Sequence, residues 1–257
     1  MKLQLFAIAA AFIFATTANA DPIIAQSYPI TSVQELSAGG GVDLVITQGE
    51  TESLRVETTA EVMKRVKVDL TNHRLTLGVK NEGGGFTHWF GNHNDKVKFF
   101  IQVKRINLLD LSGAVSATMG LYRGQMLAIK LSGAAETYFN DLQTTDVAFE
   151  LSGASNAEIK VLNSQKVNVN LSGASNFQVE KSGTVSELIV VASGASNYES
   201  EPLSVNHADV QASGASNIEV RATETLKAGA TGSSNIDHYG SAKVTANANG
   251  ASQIDGH

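Results

Sequence analysis

Apolar and polar residues alternate with a period of two through most of this chain. Val167, Val169 and Leu171 alternate with Asn168, Asn170 and Ser172. The same slots hold Val147, Phe149 and Leu151, then Ala208, Val210 and Ala212, then Val244, Ala246 and Ala248. After a short Gly-Ala-Ser break the alternation resumes, with Phe177 and Val179 around Gln178 and Ile218 and Val220 around Glu219. Period two with β-branched residues predicts strands that bury one face. No helical period competes with it in the second half of the chain.

The break between strands is itself repeated. "LSGASNAEI" at 151–159 is followed by "LSGASNFQV" at 171–179, "ASGASNYES" at 192–200 and "ASGASNIEV" at 212–220. Marked by their glycines, the copies fall at Gly113, Gly133, Gly153, Gly173, Gly194 and Gly214, with weaker copies at Gly232 and Gly250. The spacing therefore runs from 18 to 21. A unit of strand, bend and strand cannot bury its apolar face alone, so it must stack on its copies. The leucine-rich repeat has a similar period, but its Leu spacing and helical segment are missing. The expected architecture is all-β: a single-stranded right-handed parallel β-helix, right-handed by the rule for parallel connections. Stacked coils lie about 4.8 Å apart. Gly153, Gly173, Gly194 and Gly214 would then nest at one corner. Asn156, Asn176, Asn197, Asn217 and Asn235 would form an amide ladder along it.

Residues 21–110 lack the strict repeat but still alternate. Strands are expected at 42–48, 53–58, 66–70, 74–79 and 96–103, turns at Gly49-Glu50 and Asn72-His73, and one short helix at 60–66. "LSAGGGVD" at 36–43 reads as a degenerate bend. The expectation is one domain over 21–257, with irregular N-terminal coils over 21–110 and regular coils over 111–257.

Two features could carry chemistry. The segment "NEGGGFTHWFGNHND" at 81–95 interrupts the pattern and holds the only Trp. Phe86, His88, Trp89 and Phe90 there are a candidate ligand contact, because aromatic faces stack on sugars and other flat ligands. The bland alternative is that these aromatics cover the core. Second, the position two after each Asn reads Glu158, Gln178, Glu199, Glu219, Asp237 and Asp255, which stacking would turn into a column of like charge. A solvated acidic face explains such a column, and weak Ca²⁺ binding at Glu199, Glu219 and Asp237 is the sharper reading. The Gly-Asp nonapeptide that marks strong Ca²⁺ sites is absent. No other cofactor is expected.

Residues 1–20 read as a secretory signal peptide: Lys2, then the apolar run 3–15, then small residues at Ala18 and Ala20 before Asp21. Export to the periplasm, the cell surface or beyond is therefore expected. No integral membrane segment is expected after cleavage. The absence of cysteine removes a lipid-anchor site and any disulfide. Residues 21–257 carry 18 basic and 25 acidic side chains, a formal charge of −7, which argues against nucleic acid as a partner.

The segment 28–80, through "GVDLVITQG", "LRVET" and "EVMKRVKVDLTNHRLTLGV", followed by the Ser-Gly-Ala bends, resembles the head GIN domain family of putative auto-transporter adhesins. The resemblance implies a secreted or envelope β-solenoid, and it supplies no catalytic residue. Its implied function is non-catalytic and adhesin-like, binding a glycan or cell-envelope component. Two alternatives stand beside it. β-Helices also host polysaccharide lyases and hydrolases, an argument from fold alone, and Arg is sparse in the repeats, at Arg123 and Arg221 only. The third reading is a self-associating envelope protein, because the repeat runs nearly to His257 and invites an end-to-end homo-oligomer.

Overall fold

The computed structural model describes residues 22–80 and 96–257. From residue 116 onward the chain winds into parallel coils. Its long strands are β9 (Ser116–Gly133), β10 (Glu136–Leu151), β11 (Asn156–Leu171), β12 (Asn176–Ala192), β13 (Asn197–Ala212) and β14 (Asn217–Gly232). Each pairs in parallel with the next, in the register of the repeat: Val147 opposes Val167, and Val167 opposes Leu188. Shorter strands β15 (Asn235–Tyr239), β16 (Lys243–Gly250) and β17 (Gln253–Gly256) complete the last coils. The whole is a β-solenoid of about seven turns.

Each long strand wraps around most of a coil, and burial shows where it turns. In β11, Ala157 and Ile159 point inward, then Leu162, then Val167, Val169 and Leu171. The inward parity breaks twice, so each coil has three faces: 156–159, a short middle face near 161–165, and 166–171. The Ser-Gly-Ala-Ser bend closes the remaining corner.

The bend explains its own repetition. Gly153, Gly173, Gly194 and Gly214 have φ between +76° and +81°, where a side chain is disfavoured. A Cβ on any of them would also lie 2.5–2.7 Å from the carbonyl oxygen of the preceding bend glycine. That same oxygen accepts a 2.7 Å hydrogen bond from the amide of the next coil's Ala154, Ala174, Ala195 or Ala215. Glycine is thus required by backbone angle and by close stacking together.

The core is one continuous apolar column from Ile30 to Ile236. Within it lies an aromatic stack. Phe149 meets Phe177 edge to face at 4.8 Å, and Phe177 stacks on Tyr198 at 5.1 Å. Neighbouring slots hold small residues such as Ala157 and Ala192, so volume is shared between coils. Coil length varies on the middle face. The long coil between Gly173 and Gly194 places a bulge after Val179. The short coils after Gly214 lose middle-face residues, where the register jumps from Ser200 to Val205.

The N-terminal half differs from irregular coils. Its strands are β1 (Ile23–Tyr28), β2 (Glu35–Gly40), β3 (Val42–Gln48), β4 (Ser53–Thr59), β5 (Val66–Thr71), β6 (Arg74–Val79), β7 (Val97–Val103) and β8 (Leu108–Gly113), with one helical turn, α1 (Ala60–Met63). β2 and β3 form the first coil of the repeat, and β8, parallel to both β2 and β9, opens the next. Gly40, with φ +96°, sits beneath Gly113 and accepts the amide of Ala114 at 2.7 Å. The remaining strands extend the two sheets beyond that coil in mixed directions. β7 is parallel to β3 but antiparallel to β4, and β4 is antiparallel to β1. β6 is parallel to β2 but antiparallel to β5. Asn72 and His73, at φ 51° and 65°, make the tight turn between β5 and β6. α1, capped by the Thr59 hydroxyl, buries Val62 and Met63 against this end of the core.

Candidate binding surfaces

The corner next to the bend is built from buried and exposed polar groups in alternate positions. Ser155, Ser175, Ser196, Ser216 and Ser234 are at most 2% exposed. Each hydroxyl donates back to the carbonyl three residues earlier at 2.8–3.0 Å. Val115 and Ala135 fill the same slot in the first coils. The Asn residues that follow stand in register in one column. Asn217 Nδ2 donates to Asn197 Oδ1 at 3.0 Å, and Asn197 Nδ2 donates to Asn176 Oδ1 at 3.2 Å. Asn235 leaves the ladder and donates to Asp237 Oδ2 at 2.7 Å. The amides of Asn176, Asn197 and Asn217 are thus joined, while among the described residues no such bond links Asn156 to Asn176.

Two positions on, the column runs Tyr138, Glu158, Gln178, Glu199, Glu219, Asp237 and Asp255. The Glu219 carboxyl is held above the usual range by partial burial and by the charges of Glu199, Asp237 and Glu201. Glu158 is also raised, first by a hydrogen bond with the side chain of Glu180. Glu199, Glu219 and Asp237 share the column, but Asp237 is engaged by Asn235 and by His257 Nε2 at 3.2 Å. Among the described residues no group of three or more His, Asp or Glu side chains gathers closely enough to hold a metal ion. The aromatic segment with Phe86, His88, Trp89 and Phe90 lies outside the described residues.

A different surface emerges from the middle face. An open depression of about 510 Å³ crosses four coils, from β9 to β12. One row along it is Arg123, Gln143, Asn163 and Thr184, and a second includes Gly124, Thr144 and Ser164, each in register with the next. Among the described residues, Arg123 is the only charged one lining it. The rows are ordered by their own hydrogen bonds. Arg123 Nε donates to Gln143 Oε1 at 3.0 Å, Thr144 Oγ1 to Ser164 Oγ at 3.2 Å, and Thr184 Oγ1 to Asn163 Oδ1 at 3.2 Å. At the N-terminal edge the Gln48 side chain pairs with Arg123 as a strand would, accepting from its amide at 2.8 Å and donating to its carbonyl at 2.9 Å. At the other edge the depression ends on β12, at Thr184 and Ser186. In the sequence this stretch reads as a connection. The signal is present as uncharged Gln, Asn and Thr recurring at 143, 163 and 184, but it is visible only once the corners of the coil are known.

A second depression, of about 490 Å³, lies on the 166–171 face of later coils. Of its charged residues, Lys227 pairs with Asp209 at 2.9 Å and His207 lies 3.4 Å from Glu224.

A family profile described as "Putative auto-transporter adhesin, head GIN domain" matches residues 33–242. The chain belongs to this family. Solved structures agree on the fold of this head GIN domain protein. A putative adhesin from Parabacteroides distasonis ATCC 8503 superposes with a TM-score of 0.82 at 17% identity, covering 92% of this chain and 98% of its own. A putative adhesin from Parabacteroides merdae ATCC 43184 gives 0.76 at 18% identity, covering 91% and 96%. A P. distasonis protein described as a putative lipid binding protein gives 0.70 at 18%, again covering 91% and 96%. No curated protein matches the sequence. Among the described residues no helix is long and apolar enough to cross a membrane.

Proposed function

We propose that this head GIN domain protein is an exported, non-catalytic, adhesin-like module that binds a neutral glycan of the cell envelope through its middle-face groove. The carrying observation is the row Arg123, Gln143, Asn163 and Thr184, repeated at coil spacing and ordered by hydrogen bonds within the protein. Polar groups fixed before binding lose little freedom when a ligand arrives. A periodic row suits a periodic polymer, and the near absence of charge suits hydroxyl groups rather than carboxylates or phosphates. Export follows from the pattern of residues 1–20. The adhesin descriptions of the family and of its structural relatives point the same way.

The test is a glycan array probed with the wild-type chain, a Gln143→Ala/Asn163→Ala/Thr184→Ala variant, and Trp89→Ala. The groove reading expects binding to uncharged polymers and its loss in the triple variant, with an unchanged melting temperature. Binding lost only in Trp89→Ala would move the contact to the aromatic segment. No binding to any glycan would remove this reading's main support.

A further inference from the structure

The two ends of the solenoid are finished differently. At the N-terminal end, Val62 and Met63 of α1 are 2% and 8% exposed and close the core. The outermost strands there are β1 on one sheet and β5 on the other. β5 runs against the coils and β1 runs with them. No arriving coil could extend both sheets in parallel.

At the C-terminal end, every residue of β16 is exposed. Val244, Ala246 and Ala248 oppose Leu226, Ala228 and Ala230 of β14, which are at most 2% exposed. The inward slots of the last coil therefore face outward along the axis, with Val244 38% exposed. Among the described residues, β16 pairs only with β14 and β17 only with β15, so one edge of each strand has no partner among them. The devices that usually blunt an edge are missing: β16 has no proline and one charge, Lys243, at its first residue.

We propose that this edge pairs with β16 of a second copy of the chain, in an antiparallel, two-fold arrangement that closes as a dimer. A second copy is the fitting occupant because β16 is self-complementary. In an antiparallel two-fold pairing that continues the sheet of β16, inward Val and Ala meet inward Ala and Gly, and outward Thr and Asn meet outward Thr and Asn. The two Lys243 side chains lie at opposite ends of the paired strands, so like charges are not opposed. A two-fold contact uses the same edge in both copies, so the pairing closes at two chains. One coil end is smaller than a standard interface of about 1,600 Å², so the dimer is reversible. It would also double the groove and strengthen binding to a repeating polymer through multivalency, although the pairing stands independently of what the groove binds.

The test is analytical ultracentrifugation over a broad concentration range, on protein purified as cells process it. Wild type is expected to rise from one to two chain masses and stop there. Ala246→Lys places a charge in an inward slot of an already exposed strand and should lose the dimer while keeping the melting temperature measured in dilute solution. Asn170→Lys, exposed in mid-solenoid, should dimerise as wild type. Hydrogen exchange should show β16 amides protected only at concentrations that give dimer. A wild type monomeric throughout, growth past two chains, dimerisation of Ala246→Lys, or β16 protection in the dilute monomer would each overturn the proposal. The last result would mean that a segment of the same chain covers the edge.

Discussion

A bend glycine answers to two constraints, and each can be read separately. Gly173 has φ +76° and no room for a Cβ beside the Gly153 carbonyl, at 2.6 Å. Gly173→Ala is expected to destabilise the protein by about 2–4 kcal/mol in chemical denaturation, since strain and backbone displacement add. Gly120 lies on the same solenoid with nothing within 4 Å of the point a Cβ would occupy, and Gly120→Ala should stay within about 0.5 kcal/mol. The buried Thr137 hydroxyl makes a different case, because it has no hydrogen-bond partner among the described residues. Thr137→Val keeps the shape and removes an unsatisfied group, so the denaturation midpoint should rise, by about 1 kcal/mol of stability. The glycines are legible in the sequence because their spacing alone implies stacking. The buried role of Ser155 and its copies is not, since a serine that bonds to its own backbone carries the same letter as one that faces water.

At the scale of the strand, alternation locates β3 through β7 to within a residue or two but says nothing of their direction. Parallel and antiparallel strands share a period of two. Only the repeated bend specifies parallel stacking, and residues 44–107 lack it. That is why the N-terminal strands read as coils in the sequence and instead form mixed sheets over the first coil. The acidic column is legible for the same reason as the glycines, because register follows directly from the period. Its consequence is a pH dependence. Partial burial and the charges of Glu199, Asp237 and Glu201 raise the Glu219 carboxyl in the folded state above its unfolded value. The protonated folded form is therefore favoured, a contribution present in acid and lost as pH rises through the raised value. Glu219→Gln cannot ionise. Thermal unfolding should show it more stable than wild type at neutral pH, with the difference vanishing below about pH 4. A variant less stable than wild type at neutral pH would mean that the carboxylate makes favourable contacts that outweigh the repulsion.

At the scale of the molecule, the outward rows of the middle face decide where a ligand can sit. Coils from Gly113 to Gly214 are 20 or 21 residues long, and those after Gly214 are shorter, losing middle-face residues between β13 and β14. The two polar rows line the depression only over β9 through β12, with Gln48 at one edge and Thr184 and Ser186 at the other. Sequence spacing contains this change of length, but without the corners it cannot be assigned to a face. The central claim is that this wall of neutral, pre-ordered side chains is the binding surface. Hydrogen exchange with and without a neutral envelope polysaccharide tests it most directly, by mapping where amides become protected. The account predicts protection over 121–125, 142–145, 162–165 and 183–186, on one face of four consecutive coils. Protection confined to 81–95, or to the acidic column at Glu199 through Asp255, would contradict it.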